Sequence, residues 1–332
     1  MTLQYYDSYD IPDLPAAYKP PGNINTLAHT GITSGVVDQL TYSYNGHRLT
    51  NVSDAVAGAD PILPYHYGGS TAYTYDANGN MKTRINTVNT GNNITAISYN
   101  HLNLPSSVTA TGGNVTYTYD ANGRKLRSTN GIQGQTRDYI DGIEYVAGTI
   151  ELIHHGEGRI LNTGGSYVFE YYLKDHLDNN RSGFGAGTNV TVPTFSADYY
   201  PFGMQYQQYV RAGSPKNNYL YNGKELQDGL KLYDYGARLY DPAIGRWGTM
   251  DPLAENHHGY PYNYVLNNPM SYIDPFGLDT VDVNSSQPIQ EGDAVFYEEG
   301  VALNSLKDVT ITAKSLRVSI SLKVQIAYLI VG

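Results

Sequence analysis

The 332-residue chain contains no cysteine, which excludes a disulfide framework, a thiolate metal site and a cysteine nucleophile. Charge is also scarce, at 16% of residues, and it leans acidic with a net −10. A general nucleic-acid binder needs a basic patch, and an anionic membrane surface attracts basic segments, so both classes are disfavoured. The longest apolar run near the end, Ile326–Val331, is too short to span a bilayer. The opening MTLQYYDSYDIPDL has neither the basic nor the apolar region of a Sec-type signal. The expectation is a soluble protein or a fragment of a longer exported one.

Phenylalanine and tryptophan are rare, with six and one residues, against 33 tyrosines and 35 glycines. Such an excess does not suit an ordinary core. Tyrosine favours strands, and its amphipathic ring can lie on a wet surface or stack along a ladder. Abundant Gly, Asn and Thr add turns and strands rather than helices. The expected class is all-β, with much of the chain in hairpins.

Internal similarity gives those hairpins a pattern. Thr41-Tyr42-Ser43-Tyr44-Asn45-Gly46 reads as a strand and a tight turn. Tyr73-Thr74-Tyr75-Asp76-Ala77-Asn78-Gly79 repeats it, and Tyr117-Thr118-Tyr119-Asp120-Ala121-Asn122-Gly123 repeats it again almost letter for letter. A divergent copy runs from Ile97 to Pro105, so the period is about two dozen residues with insertions. Tyr-x-Tyr puts both rings on one strand face, and Asn-Gly suits positive φ in the turn. One such hairpin cannot bury its own face, so successive hairpins must pair into a continuous sheet. Propeller blades need longer repeats, which favours a long spiralling sheet.

These Y-x-Y-D-x-x-G-(N/R) units resemble the YD repeats of RHS proteins, teneurins and Tc-toxin C subunits. Tyr171 to Arg181, Asp198 to Met204, Tyr219 to Glu225, Leu232 to Pro242 and Gly245 to Trp247 then resemble successive blocks of the RHS repeat-associated core, which closes at Asp274-Pro275-Phe276-Gly277-Leu278. The wording is similar to the Bacteroidota version. The resemblance covers roughly residues 40–279. It implies a spiralling antiparallel β-hairpin sheet forming part of a hollow shell, with a plug-like closing segment in which Trp247 sits. The expected organisation is a lead-in (1–39), a YD-repeat sheet (40–170), the core (171–278) and a variable tail (279–332).

Two Asp-Pro steps, at Asp251 and Asp274, carry the candidate chemistry. Carboxylates brought within a few ångströms cannot both ionise easily, so one keeps a proton while the other activates water. Asp-Pro is also a common turn, and spacing alone leaves that reading open. The resemblance implies an aspartyl autoprotease: Asp251 and Asp274 as the dyad, Arg246 positioning or balancing a carboxylate, and Leu278–Asp279 as the bond cut. Neither a cofactor nor a metal is expected.

The other candidates are bland. In the pairs His154-His155 and His257-His258, adjacent residues on a strand face opposite ways, which makes poor chelates. Asp175-His176 has no nucleophile nearby and suits a turn. Past Leu278, residues 279–300 read as a polar, acidic linker, Val309–Lys314 resembles a junction, and residues 316–326 alternate as an amphipathic strand. No catalytic constellation stands out there, so the tail reads as a truncated passenger. The implied role is a secreted or cell-surface shell in interbacterial competition. Its partners would be its own C-terminal passenger, an immunity protein and secretion machinery, without nucleic acid or a transmembrane segment. The alternatives are a cell-surface adhesion or carbohydrate-binding protein and an orphan fragment.

Overall fold

The computed structural model describes residues 22–31, 35–56, 67–186, 192–254 and 260–283, and the backbone of short strands at 2–5, 309–310 and 323–324. The chain divides into two units, residues 1–294 and 295–332. In the second unit the described part is one antiparallel pair, β25 (Val309–Thr310) with β26 (Lys323–Val324). The rest of the strand expected over 316–326 lies outside the described residues.

In the first unit, eighteen strands form one sheet. Each pairs antiparallel with the next in sequence, from β1 (Thr2–Tyr5) and β2 (Ile24–Thr30) to β17 (Phe195–Tyr199) and β18 (Gln205–Val210). The expected all-β spiral of hairpins is therefore the observed fold. The sheet curls: the Tyr200 hydroxyl donates to Thr30 O at 3.1 Å, and its ring lies 4.5 Å from that of His29. Residues at the end of β17 thus meet the end of β2.

One turn recurs along the sheet. In Asp76–Asn80 the end residues bond through Asp76 N–H to Asn80 O, while the Asp76 carboxylate accepts Asn80 N–H at 2.8 Å. Gly79 stands at φ +83°. The same closure joins 100 to 104, 120 to 124, 175 to 179, 200 to 204 and 220 to 224, each with positive φ at the fourth position. Asp175-His176 belongs to this series: the Asp175 carboxylate accepts the amides of Leu177 and Asn179.

The tyrosines correct the expectation drawn from composition. Tyr42, Tyr73 and Tyr117 point inward and are buried, as are Tyr221, Tyr233, Tyr235, Tyr240, Tyr262 and Tyr264. Tyrosine thus joins the aliphatic residues of this core, which is possible because the hydroxyls find partners. The second ring of a repeat reaches back to an earlier turn or strand end: Tyr44 to Ile24 O, Tyr99 to Met81 O, Tyr119 to Pro105 O, Tyr199 to Asn180 O and Tyr221 to Pro201 O, all at 2.6–3.1 Å. Phenylalanine would leave those carbonyls without that donor.

Against the inner face lies a four-stranded sheet: β19 (Glu225–Gln227), β20 (Leu232–Asp234), β21 (Leu239–Asp241) and β22 (Arg246–Trp247). Polar ties fix it there. The Tyr42 hydroxyl donates to Ile244 O at 3.0 Å, and that of Tyr117 to Gln227 at 3.1 Å. Arg84 pairs with Asp241 at 3.0 Å, and Lys125 with Glu225 and Asp234 at 2.6 Å each. Gly79 is required by contact as well as by φ, since a Cβ there would meet the Met250 sulfur at 2.6 Å and the Tyr262 hydroxyl at 2.7 Å. Trp247 is buried among Tyr235, Tyr240 and Tyr264.

Candidate active site

Three segments of the closing region converge. Arg238 immediately precedes β21. Asp251 follows β22 and starts a turn in which its carboxylate accepts Leu253 N–H at 2.8 Å. Asp274 follows β23 (Tyr272–Ile273), which pairs with β24 (Val281–Asp282), so residues 274–280 form the loop of a hairpin.

Within that loop, Asp274 Oδ1 accepts the backbone N–H groups of Phe276, Gly277 and Leu278 at 3.2, 2.7 and 2.9 Å. Gly277 takes φ +74° to close the turn. Its carbonyl accepts Arg238 Nε–H. The loop carrying Leu278 and Asp279 is therefore held from inside by Asp274 and from the side by Arg238. Leu278 is buried.

Arg238 Nη2 lies 3.0 Å from Asp251 Oδ2 and 3.2 Å from Asp274 Oδ2. One nitrogen thus touches both carboxylates, and the two oxygens can be no farther apart than the sum of those lengths. The Arg238 guanidinium is buried and stacks 4.2 Å over the Trp247 ring. Burial pushes the Asp274 carboxyl above its ordinary range, opposed by Arg238 and the three amides. Burial likewise lowers the Arg238 pKa, opposed by the two carboxylates. The Asp251 side chain is 11% exposed and that of Asp274 3%, so water reaches the pair from the Asp251 side. One buried cation facing two carboxylates leaves an excess negative charge, which a single shared proton would neutralise.

The two aspartates are brought together, but Arg246 is not with them. It is buried elsewhere, donating to His47 O at 2.9 Å and Asn263 at 3.2 Å, with the Tyr44 ring 5.0 Å away. It ties the closing segment to the turn after β3 (Val36–Asn45). The cation lying between the two carboxylates is Arg238, eight positions earlier. A signal for it existed: an arginine between Ala237 and Leu239 in an apolar stretch needs a partner if buried. His154 and His155 do face opposite ways, His154 onto Glu144 at 2.6 Å and His155 beside Phe169 and Tyr171. His257 and His258 lie outside the described residues.

The fold, a long antiparallel sheet of consecutive hairpins, is shared with a solved toxin complex. In particular, the chain superposes on a chain of the crystal structure of TcdB2-TccC3-Cdc42 with a TM-score of 0.54 and 21% identity, over 76% of this chain and 14% of that one. In sequence it is 36% identical over 87 residues to toxin subunit YenC2 of Yersinia entomophaga, covering 26% of this chain and 9% of the relative. It is 33% identical over 129 residues to salivary gland surface protein 1 of Aedes aegypti, covering 39% of this chain and 4% of the relative. The chain therefore spans a small fraction of these proteins. No family model matches it.

Proposed function

We propose that this chain is the closing part of a toxin shell, enclosing a C-terminal passenger and freeing it by one hydrolysis of its own backbone after Leu278. The observation that carries the reading is Arg238 joining Asp251 and Asp274 beside the loop that holds Leu278. In this mechanism one aspartate keeps a proton and polarises the Leu278 carbonyl. The other, as carboxylate, takes a proton from water, whose oxygen attacks the carbonyl carbon. The C–N bond to Asp279 then breaks, with the proton passing to the leaving nitrogen. Arg238 is a positioning residue, holding both carboxylates and the Gly277 carbonyl. Partial likeness to a toxin subunit supports the shell role, and secretion, an immunity partner and interbacterial competition follow from it as proposals. Intact mass after native expression tests the reading: two fragments divided at Leu278–Asp279 support it, and a stable uncut chain overturns it.

The likeness to a salivary gland surface protein favours a second reading, surface adhesion. Specific glycan binding by an uncut chain would establish that one instead.

A further inference from the structure

The outer face of the sheet changes character part of the way along. From β5 (Ser70–Tyr75) to β10 (Lys125–Asn130) it is mainly hydroxylic or charged, while the inner face buries apolar residues together with Thr71, Arg84, Asn86 and Ser128. Thr74, Ser98, Thr116, Thr118 and Thr129 are among the exposed outer residues. Between β11 (Gln135–Ile140) and β15 (Ser166–Lys174) the inner face instead buries Glu144, Arg159 and Glu170, with Arg159 paired to Glu170 and His154 to Glu144. The outer face there carries an apolar row, with Thr136, Asp138 and Asn162 beside it.

The register makes that outer face continuous. Ile140 stands opposite Ile143, Ile143 opposite Ile153, Ile153 opposite Ile160, and Ile160 opposite Phe169. Four isoleucines and a phenylalanine thus form one cross-strand row over five strands, about 19 Å long at the usual strand spacing. Tyr167, Phe169, Tyr171 and Leu173 extend it along β15, all between 40% and 51% exposed. The Phe169 and Tyr171 rings lie parallel, 6.2 Å apart. Directly opposite Tyr171, Phe184 on β16 (Asn180–Gly185) carries the surface one strand further.

We propose that this face binds a second copy of this chain, sheet against sheet. Six strands of about six residues present a face of roughly 29 by 20 Å in projection. That projection is of the same order as the ~800 Å² per partner of a stable interface. A second copy brings the same apolar row, so a two-fold axis near Ile153, the middle of the row, lets each row cover the other. Two sheets packed this way interdigitate about 10 Å apart. Other occupants fit less well. The isoleucine row offers sugars no hydrogen bonds. The proposal is independent of backbone cleavage.

Sedimentation of the full chain from about 1 to about 100 µM tests it. The unaltered chain should be a dimer in the upper part of that range. Ile153→Lys with Phe169→Glu should make it a monomer, and Ile140→Lys, at an exposed hairpin end, should weaken association about tenfold or more. Thr74→Lys and Thr116→Lys, on the hydroxylic part of the same outer face, should leave the dimer intact. Far-UV circular dichroism identifies any variant that has failed to fold. A chain monomeric throughout overturns the proposal, including one that binds vesicles or glycans through this face, as does a folded double variant that remains dimeric.

Discussion

Arg238 and Asp274 are joined twice, once through their side chains at 3.2 Å and once through the Gly277 carbonyl of the loop that the Asp274 carboxylate organises. The loop, the cation and the acid thus form one unit, and Asp251 is attached to it by the same guanidinium nitrogen. Substitutions at the three side chains should differ in kind.

Asp274→Asn keeps an oxygen for the three loop amides and loses the ionisable group. It should fold and remain uncut, as should Asp251→Asn, each giving one intact mass where the unaltered chain gives two. Asp274→Ala also removes the acceptor from three buried N–H groups, and should cost about 3 kcal/mol or more in stability. A fully cleaved Asp274→Asn chain would dismiss the dyad.

Arg238→Met tests the positioning role. It leaves two neighbouring carboxylates without their cation, and breaking a buried pair in this way costs on the order of 3–5 kcal/mol. With Arg238 gone, the Asp274 pKa should rise further, since Arg238 is the main influence opposing its elevation, so any residual cleavage should have its pH profile shifted upward. Arg238→Lys keeps the charge but cannot span both carboxylates and Gly277 O together, and should restore stability more than cleavage. Equal cleavage in the unaltered and Arg238→Met chains would remove Arg238 from the mechanism.

Much of this was legible from residue order alone, and the limits have physical causes. Tyr-x-Tyr and Asn-Gly carry period and turn in adjacent letters, so the hairpin sheet could be read directly. The turns at 175–179, 200–204 and 220–224 share the backbone closure of the first ones but have lost most of the letters. There Asp178 adopts positive φ, a conformation that aspartate tolerates better than most residues. Composition alone does not place the tyrosines in the core, because a hydroxyl can be buried only when a carbonyl sits at its tip, and which carbonyl does so depends on neighbouring hairpins. The resemblance implies Arg246 from the Arg-x-x-x-x-Asp-Pro order. The fold brings Arg238 to the two carboxylates because β21 and β22 are antiparallel neighbours, which carries a residue from before one strand to a residue beyond the other. The isoleucine row likewise exists only once register aligns four strands.

The direction of the Asp274 shift fixes the pH dependence of cleavage. Burial raises this carboxyl, so it keeps its proton to higher pH than an ordinary aspartate. A mechanism that needs this carboxyl protonated should slow as pH rises through that elevated value. Stability follows the same direction: a raised folded pKa contributes stability below the unfolded value, lost as pH rises through the folded one. Single-turnover cleavage rates should therefore fall along an alkaline limb that lies above the ordinary aspartate range. A rate that stays level or climbs through the alkaline range would contradict this.

A buried ion pair attaches the segment after β18 to the large sheet. Arg84 on β6 (Met81–Asn86) pairs with Asp241 on β21 at 3.0 Å and also donates to Leu230 O at 2.7 Å, with both side chains nearly inaccessible. Burial raises the Asp241 pKa, and Arg84 is the main opposing influence. Arg84→Met should therefore strand a buried carboxylate and cost about 3–5 kcal/mol, while adding Asp241→Asn should recover part of that loss by removing the uncompensated charge. For a chain of this size the single change corresponds to a fall in melting temperature of about 10 °C. Trp247, the only tryptophan, lies in the strand beside Asp241, so its fluorescence reports on the segment itself. If the single variant melts within about 2 °C of the unaltered chain, this pair is not what holds the segment to the sheet, and the tyrosine hydroxyl bonds of Tyr42 and Tyr117 become the next to test.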